Sequence, residues 1–396
     1  MDKNMILENL KKLDFLTSDE KDEIAENMLA AWGQIKDPFD FANLSEDDYK
    51  AKIKELGKCF GLHLTKKVKA NIVATLYDKL FGSVTTVEHP FIIIVAGAIA
   101  SGKSTVVECV IPRKYGNNFG MIEKDKIKAS NIFRDYIHDK NHFGDEHGNL
   151  IEDFMLQLRE DISETAIKNK KSIMLEQSCK SDDFLDTSKS ALDNGFRIYA
   201  EIVITPIAFT CVRNVYRYVD GLIKNPKTAR YEAYLNIKDT YENAPVVLTR
   251  LQPYIENGDM TVYTSDILMV NIKGANKKDR PIAEVFDEVA NGPVSDISLE
   301  IATKIYDFIN TNINFVKGKK EEADVLNSLS ITKQKLDELA QNPDMITKAI
   351  PQEWQPKSAR DILDELNKPL GYSYSKRLEQ NRDYFKKLKF YPMITP

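Results

Sequence analysis

Eight consecutive residues, Gly97-Ala-Ile-Ala-Ser-Gly-Lys-Ser104, directly follow the β-branched run Phe91-Ile-Ile-Ile-Val-Ala. They match the pattern G-x-x-x-x-G-K-[ST] at every fixed position, and a helix-forming stretch comes after them. A continuous β-branched run is typical of a fully buried strand in a parallel sheet. Together these features predict a P-loop α/β fold, in which helices cover both faces of a doubly wound parallel sheet.

The glycine-rich segment has the chemistry of a phosphate cradle. Glycines permit backbone angles that aim several N–H groups at one phosphate chain, and the following helix adds its positive N-terminal end. Lys103 can neutralise the β- and γ-phosphates, while the hydroxyl of Ser104 can bind Mg²⁺. We therefore predict ATP and Mg²⁺ as ligands, with the nucleotide held by Gly97, Ala98, Ile99, Ala100, Ser101, Gly102, Lys103, Ser104 and Thr105.

Strand-like and helical patterns alternate after the P-loop. Short apolar runs near residue 121 and at 172–175, 198–204 and 260–263 are separated by helix-forming stretches. This alternation favours a parallel sheet of the P-loop kinase-like type. We assign residues 86–316 to this domain.

Helical segments extend the chain at both ends. Helix-forming patterns begin at Ser18, Ser45 and Thr65, so residues 1–85 are predicted to be a helical N-terminal domain of accessory or inhibitory function. Residues 317–396 are predicted to be a helical C-terminal extension. We expect its helices to be short, with breaks at Pro351, Pro356 and Pro369.

Charge and composition disfavour long nucleic acids and membranes as partners and indicate the compartment. The formal net charge is −5, so the chain lacks the overall positive field that attracts long nucleic acids. Four cysteines without a C-x-x-C pair indicate a reduced, cytoplasmic protein. The longest apolar run, 91–100, is too short to cross a bilayer, and the N-terminus lacks a signal-peptide core. A signal for a specialised secretion machine would not be recognisable, so an exported effector stays open.

Two groups of polar side chains follow predicted strands. Glu123 and Asp125 come after the strand near residue 121, where a carboxylate could accept the proton of an attacking hydroxyl. Glu176 follows the next apolar strand, and Ser178 and Lys180 come after it. This polar cluster could bind Mg²⁺ through water or grip an acceptor hydroxyl. Ordinary charged helix starts and loop ion pairs have the same composition, so these residues alone leave both interpretations open.

Two arginines lie further along the chain. Arg217 falls late in a predicted helix, and Arg230 follows after a turn containing Pro226. Guanidinium groups suit the charge that spreads over a phosphoryl group in transfer, although solvated surface arginines fit the same pattern.

In this order, the motifs resemble those of the zeta-toxin family of kinases over about residues 88–275. The family's D-x-D-x-F-[KR] motif is similar to the segment from Glu123 to Lys128, and its strand–E-G/S-T motif to the segment from Leu175 to Ser178. Arg217-Tyr218 and Thr228-Ala-Arg230 are similar to the family's R-Y and T-A-R motifs, with the arginines 13 residues apart (230 − 217). Three positions depart from the family pattern: Glu123 replaces Asp, Ile127 replaces Phe and Gln177 replaces Gly.

The resemblance implies roles for these residues. Asp125 would be the catalytic base, Lys103, Arg217 and Arg230 would stabilise the transferring phosphoryl group, and Glu176, Ser178, Lys180 and Glu123 would bind the acceptor. The acceptor implied is UDP-N-acetylglucosamine, or an NAD-like nucleotide as in zeta-like kinases of some plant pathogens. The family also implies a toxin with an antitoxin protein as partner, whose blocking role residues 1–85 could perform in cis.

Two other readings are compatible with the same motifs. A polynucleotide 5′-kinase shares the P-loop and an activating aspartate, and it predicts salt-sensitive nucleic-acid binding. A nucleotide-gated binding module would bind ATP without turnover, and would have no need for Asp125, Arg217 and Arg230 together.

Overall fold

The centre of the protein is a six-stranded sheet. A computed structural model describes residues 3–11, 17–36, 66–123, 127, 144–226, 229–255, 259–263, 269–270 and 281–347. The strands of the sheet are β1 (Phe91–Gly97), β2 (Gly120–Ile122), β3 (Ile173–Gln177), β4 (Arg197–Val203), β5 (Met260–Tyr263) and β6 (Met269–Val270). Their order is β2-β3-β1-β4-β5-β6, in which the first five strands are parallel and β6 is antiparallel to β5.

The position of β1 in this order determines where a ligand can bind. β1 pairs in parallel with β4 from Phe91↔Arg197 to Gly97↔Val203, and β3 lies on its other side. The chain therefore crosses from one side of β1 to the other between β3 and β4. In open parallel sheets, ligands bind at the carboxyl ends of the strands beside such a switch point.

Helices surround the sheet and extend the chain. They are α1 (Lys3–Leu10), α2 (Ser18–Lys36), α3 (Lys66–Phe81), α4 (Lys103–Thr105), α5 (Ile111–Tyr115), α6 (Gly144–Lys168), α7 (Leu185–Asp193), α8 (Ile207–Lys224), α9 (Tyr234–Leu251), α10 (Ile282–Asn291), α11 (Asp296–Asn312) and α12 (Glu322–Gln341). A π-helical stretch, Val106–Val110, joins α4 to α5, and two short strands, β7 (Val294–Ser295) and β8 (Ile346–Thr347), pair with each other near the end of the described chain.

Most predicted elements are confirmed with small shifts in their ends. The helix predicted from Ser18 begins there, because Thr17 and Glu20 form a capping box: the Glu20 N–H donates to Thr17 Oγ1 at 3.2 Å and the Thr17 N–H donates to Glu20 Oε2 at 2.9 Å. The segment from Ser45 lies outside the described residues. The expectation of only short helices in the C-terminal part was wrong, since α12 is a continuous helix of 20 residues.

The chain divides into two compact units, of which the first contains residues 1–90 and 119–174. Here α3 packs against β2 and α6, and Phe81 at its end is fully buried beside Gly120 of β2. Lys171 Nζ donates to the carbonyl of Phe81 at 2.8 Å, and Asn169 Nδ2 donates to Tyr77 Oη at 2.9 Å. The last turns of α3 are therefore built into the core of this unit.

The second unit contains residues 91–118 and 175–396. Its main helical core forms around α8, whose buried apolar residues include Val215 and Val219. They belong to the same cluster as Ile305 on α11 and Leu329 on α12. Burial of such side chains stabilises the fold by about 1.5–3 kcal/mol each, so these C-terminal helices are an integral part of the core around α8.

None of the helices in the described part of the chain is both long and apolar enough to span a bilayer.

Candidate nucleotide-binding site

The predicted P-loop lies between β1 and α4, at the switch point of the sheet. Gly97 must be glycine because a Cβ there would lie 2.5 Å from the carbonyl oxygen of Val203 on β4. Gly102 has φ +109°, which side-chain-bearing residues rarely adopt. Ala100 also has a positive φ, 61°, a conformation that costs a non-glycine residue about 1–3 kcal/mol. The loop is therefore held in a strained shape by its surroundings.

Lys103 is folded back over the loop. It is 8% exposed, and its Nζ donates to the carbonyl oxygens of Gly97 and Ala98, both at 2.8 Å. Glu176 Oε1 lies 3.9 Å from the same nitrogen. Burial lowers the pKa of Lys103, the Glu176 carboxylate opposes that change, and the positive charge of Arg217 lowers the pKa further. Glu176 and Arg217 thus both act on Lys103 at the loop.

A buried hydroxyl in the loop supports the fit of a nucleotide. Ser101 is 1% exposed, and among the described residues no hydrogen-bond partner lies within reach of its Oγ. Buried polar atoms normally have a partner, so an orphaned hydroxyl fits a loop that receives oxygen-rich ligands. Ser104, the residue that would hold Mg²⁺, is exposed at the start of α4, and Thr105 ends that helix.

The loop is tied to the helices behind it by a residue that the sequence analysis did not single out. Thr205 is fully buried just after β4, and its Oγ1 donates to the carbonyl of Ser101 at 3.0 Å. The hydroxyl of Tyr241 on α9 donates to the carbonyl of Thr205. A polar residue directly after the apolar run 198–204 was the available signal for this contact.

The end of β3 borders the loop with a second unpredicted side chain. Cys179 has φ 60° and is 2% exposed, and the backbone of Gly97 hydrogen-bonds its thiol. Burial raises the pKa of Cys179 to about 12, although Lys103 and the Gly97 hydrogen bond act in the opposite direction. The thiol is therefore a packed, protonated neighbour of the loop. The sequence did not predict this contact because an isolated cysteine has no spacing pattern that marks a role.

The predicted acceptor-binding residues Glu176, Ser178 and Lys180 occupy different environments. Glu176 is half-buried within β3 rather than just after it, and Ser178 is half-buried in the following loop. Lys180 is exposed and points to α9, where its Nζ donates to Asn236 Oδ1 at 2.6 Å and lies 3.3 Å from Asp239 Oδ2. The structure therefore places Glu176 at the P-loop lysine, and Lys180 at the start of α9.

The two arginines are carried by neighbouring pieces of chain. Arg217 is exposed on α8, and its Nη2 donates to Asn214 Oδ1 at 3.5 Å. Arg230 is exposed on the segment between α8 and α9. Asn214 also binds the backbone of this segment at Glu232, so one side chain connects the two arginine-bearing stretches.

The predicted base, Asp125, lies outside the described residues, as does Thr228. Glu123 follows β2 and is half-buried. The N–H of Ile127, a buried residue, donates to the Glu123 carbonyl at 3.0 Å. The assignments of Asp125 as base and Glu123 as acceptor-binding residue stay predictions.

The sheet order and the loop define this protein as a P-loop nucleotide-binding fold of the kinase-like type. Residues 74–267, just under half of the chain, match the family model described as Zeta toxin, so the chain contains a zeta-toxin-like domain. The match begins within α3 and ends just beyond β5. No curated protein sequence matches the chain.

A solved structure shows the same fold at low sequence identity. A structure from the PezAT chromosomal toxin–antitoxin system of Streptococcus pneumoniae superposes with a TM-score of 0.54 at 16% identity, covering 63% of this chain and 98% of that one. Weaker likenesses are the AvrRxo1-ORF1:-ORF2 complex with ATP (TM-score 0.39, 11% identity, 73% and 90% covered) and the native complex (0.39, 13%, 82% and 91%). The first superposition supports the fold. The other two have TM-scores below 0.5 and are too dissimilar to support it.

Proposed function

We propose that this protein is an ATP-dependent kinase that transfers a phosphoryl group to a hydroxyl of a nucleotide-type metabolite, UDP-N-acetylglucosamine, and acts as a toxin. The observation that carries the proposal is the environment of Lys103: a buried ammonium group in a P-loop, 3.9 Å from Glu176 and within electrostatic reach of Arg217. Nucleotide binding alone does not require a carboxylate and an arginine at the lysine. Phosphoryl transfer uses both, to hold an acceptor and to neutralise the developing charge.

The chain's residues would share the work as follows. Lys103 would exchange its bonds to the Gly97 and Ala98 carbonyls for bonds to the β- and γ-phosphates. The backbone N–H groups of the loop would hold the same phosphates at the start of α4. Ser104 would bind Mg²⁺, which would supply neutralisation of the phosphate charge.

The acceptor side would use the carboxylates and both arginines. Asp125 would take the proton of the acceptor hydroxyl as that oxygen attacks the γ-phosphorus and the bond to the β-phosphate oxygen breaks. Glu176, Ser178, Lys180 and Glu123 would bind the acceptor. Arg217 and Arg230 would stabilise the charge on the transferring group, because guanidinium donors match phosphoryl oxygens.

The test is direct assay of the purified protein with ATP and Mg²⁺. Each candidate acceptor is incubated separately, and products are identified by mass spectrometry: UDP-N-acetylglucosamine, NAD and a 5′-hydroxyl oligonucleotide. We expect a gain of one phosphate on the UDP-sugar. We expect its loss by at least about 100-fold in Lys103→Ala and in Asp125→Asn, since each removes a group needed in the transition state.

The other outcomes separate the alternative functions. Phosphorylated NAD would move the proposal to an NAD-directed kinase, and a 5′-labelled oligonucleotide to a polynucleotide kinase. ATP binding without any product, including from a metabolite extract, would reject the kinase and leave a nucleotide-gated binding module.

The toxin role and its partner rest on the family and on the likeness to a protein of a toxin–antitoxin system. We propose that an antitoxin protein binds this chain and suppresses it. Expression of the wild type in a bacterial host is expected to arrest growth, while Lys103→Ala is tolerated at equal protein level. Equal toxicity of the two proteins would separate toxicity from phosphoryl transfer.

A further inference from the structure

The segment from Ala229 to Tyr234, called the arginine segment here, carries Arg230 and connects α8 to α9. At its start, the chain lies directly on α8. A Cβ added to Gly221 would lie 3.1 Å from Ala229 Cα, a tight contact, so a larger residue at 221 would push the two backbones apart by a few tenths of an ångström. The residue before Arg230 is therefore packed against the helix that bears Arg217.

Asn214 holds the arginine segment from the side of α8. Its side chain is fully buried, and both ends of the amide are used. Nδ2 donates to the Glu232 carbonyl at 2.8 Å, and Oδ1 accepts the Glu232 N–H at 3.3 Å. The same Oδ1 accepts from Arg217 Nη2 at 3.5 Å. One buried amide thus sets the position of the arginine segment relative to Arg217.

Helix α12 holds the same segment from the other side. Asp324 Oδ2 accepts the backbone N–H of Tyr234 at 2.7 Å, and Ser328 Oγ lies 3.1 Å from the hydroxyl of Tyr231. Asp324 and Ser328 are four residues apart, so they lie on one face of α12. The Tyr234 N–H begins α9 and has no acceptor within that helix, so Asp324 satisfies a group that would otherwise need water.

Helix α12 is itself anchored to α8. The hydroxyl of Tyr218 donates to Glu321 Oε2 at 2.8 Å just before the first turn of α12, and Thr332 Oγ1 donates to the carbonyl of Ala208 at 3.1 Å near its middle. Val325 and Leu329 are buried in the same cluster as α8. Helix α12 therefore links α8 to the arginine segment.

We propose that Asn214, Asp324 and Ser328 are positioning residues that clamp the arginine segment, so that Arg230 stands in a set relation to Arg217. Asp324 and Ser328 belong to α12, which lies outside the residues that match the zeta-toxin family model, 74–267. The C-terminal helix is then part of the phosphoryl-transfer site and not an appendage. This inference rests on the proposed kinase function for its catalytic consequence, while the clamp itself is independent of that function.

The clamp is tested first without catalysis, by hydrogen exchange resolved to single amides. Loss of the Asp324 carboxylate in Asp324→Ala is expected to speed exchange at the Tyr234 amide at least about 10-fold, because its acceptor is gone. Asp324→Asn keeps an acceptor oxygen and is expected to retain most of the protection. Asp337→Asn serves as the matched control, since Asp337 lies on the same helix and pairs with the exposed Lys333. Unchanged exchange at Tyr234 in Asp324→Ala would overturn the clamp.

The catalytic consequence is tested by steady-state kinetics with the acceptor found above. Asp324→Ala and Ser328→Ala are each expected to lower kcat by about 10-fold, with the KM for ATP within about 2-fold, since Arg230 would act only in the transition state. Arg230→Ala alone is expected to lower kcat. When Asp324→Ala or Ser328→Ala is added to it, kcat should fall by no more than about a further 2-fold, because both residues act through Arg230.

The combined outcomes separate the two proposals. An equal loss with and without Arg230 would show that α12 contributes stability alone, and would overturn its positioning role. If the wild type transfers phosphate to no acceptor while the Tyr234 amide still responds to Asp324→Ala, the kinase proposal fails and the catalytic part of the inference fails with it.

Discussion

At the scale of single residues, Lys103 is subject to opposing electrostatic influences. Burial disfavours its charge and Arg217 adds to that effect, while Glu176 and the two loop carbonyls favour the ammonium form. The net effect is a pKa below the usual value of lysine. A bound polyphosphate would offset the burial, so the folded protein alone holds this charge at a cost in stability.

This cost gives a pH dependence with a defined sign. The pKa of Lys103 is lowered in the folded state and returns toward 10.5 on unfolding. Between these values the unfolded chain binds more protons, so the free energy of unfolding rises with pH. We expect the difference in unfolding free energy between wild type and Lys103→Met to increase as the pH is raised toward 10.5, measured by urea denaturation.

Lys333 supplies a control on the surface. Its pKa is raised, first by its hydrogen bond to Asp337, so its contribution to stability does not increase over the same pH range. Lys333→Met should therefore show no such rise. A wild-type minus Lys103→Met difference that is flat or falls with pH would contradict a lowered pKa at Lys103.

At the scale of elements, the contact between α3 and β2 depends on one glycine. A Cβ at Gly120 would lie 2.1 Å from Cε1 of Phe81, a distance that no packed structure tolerates without movement. Because Phe81 is fully buried at the end of α3, the ring has little room to withdraw. A side chain at residue 120 would therefore force the ring, the helix or the strand to move.

Gly120→Ala is expected to destabilise the protein by about 1–3 kcal/mol through overpacking, measured by chemical denaturation. The same change in a Phe81→Leu background should cost less, because the smaller side chain vacates the space that the ring occupies. Equal costs in the two backgrounds would mean that the ring is not the obstacle.

At the scale of the whole molecule, two deletions of different length can separate a structural role of the N-terminal residues from an inhibitory one. Ile72, Leu76 and Phe81 of α3 are all buried, and the zeta-toxin match already begins at residue 74. Removal of residues 1–85 would take away part of a core. Removal of residues 1–65 would leave α3 in place while deleting the segment proposed to inhibit in cis.

We expect the protein lacking residues 1–65 to unfold cooperatively and to show higher kinase activity than the full chain. The protein lacking residues 1–85 is expected to melt at a markedly lower temperature, because the buried face of α3 is lost. Calorimetry and the phosphotransfer assay measure the two effects. Unchanged activity in the shorter deletion would reject inhibition in cis and leave an accessory role.

Local patterns in the sequence determined the class of fold and its phosphate loop. The β-branched run, the spaced glycines and Lys103 act on their immediate neighbours, so strand β1, the loop turn and the start of α4 follow from residues only a few positions apart. The alternation of strands and helices predicted the parallel sheet in the same way. Helix ends with a capping pair, such as Thr17 with Glu20, were readable for the same reason.

Tertiary structure decided which distant side chains meet. Asn214 with Glu232, Asp324 with Tyr234, Cys179 with Gly97 and Phe81 with Gly120 are each separated along the chain, and no periodic pattern marks the partner. The expectation of short C-terminal helices failed because Pro351, Pro356 and Pro369 all lie beyond the end of α12 and so do not limit its length. Helix α12 persists as one long element because its buried residues share a core with α8, and tertiary packing supplies most of the stability of a helix.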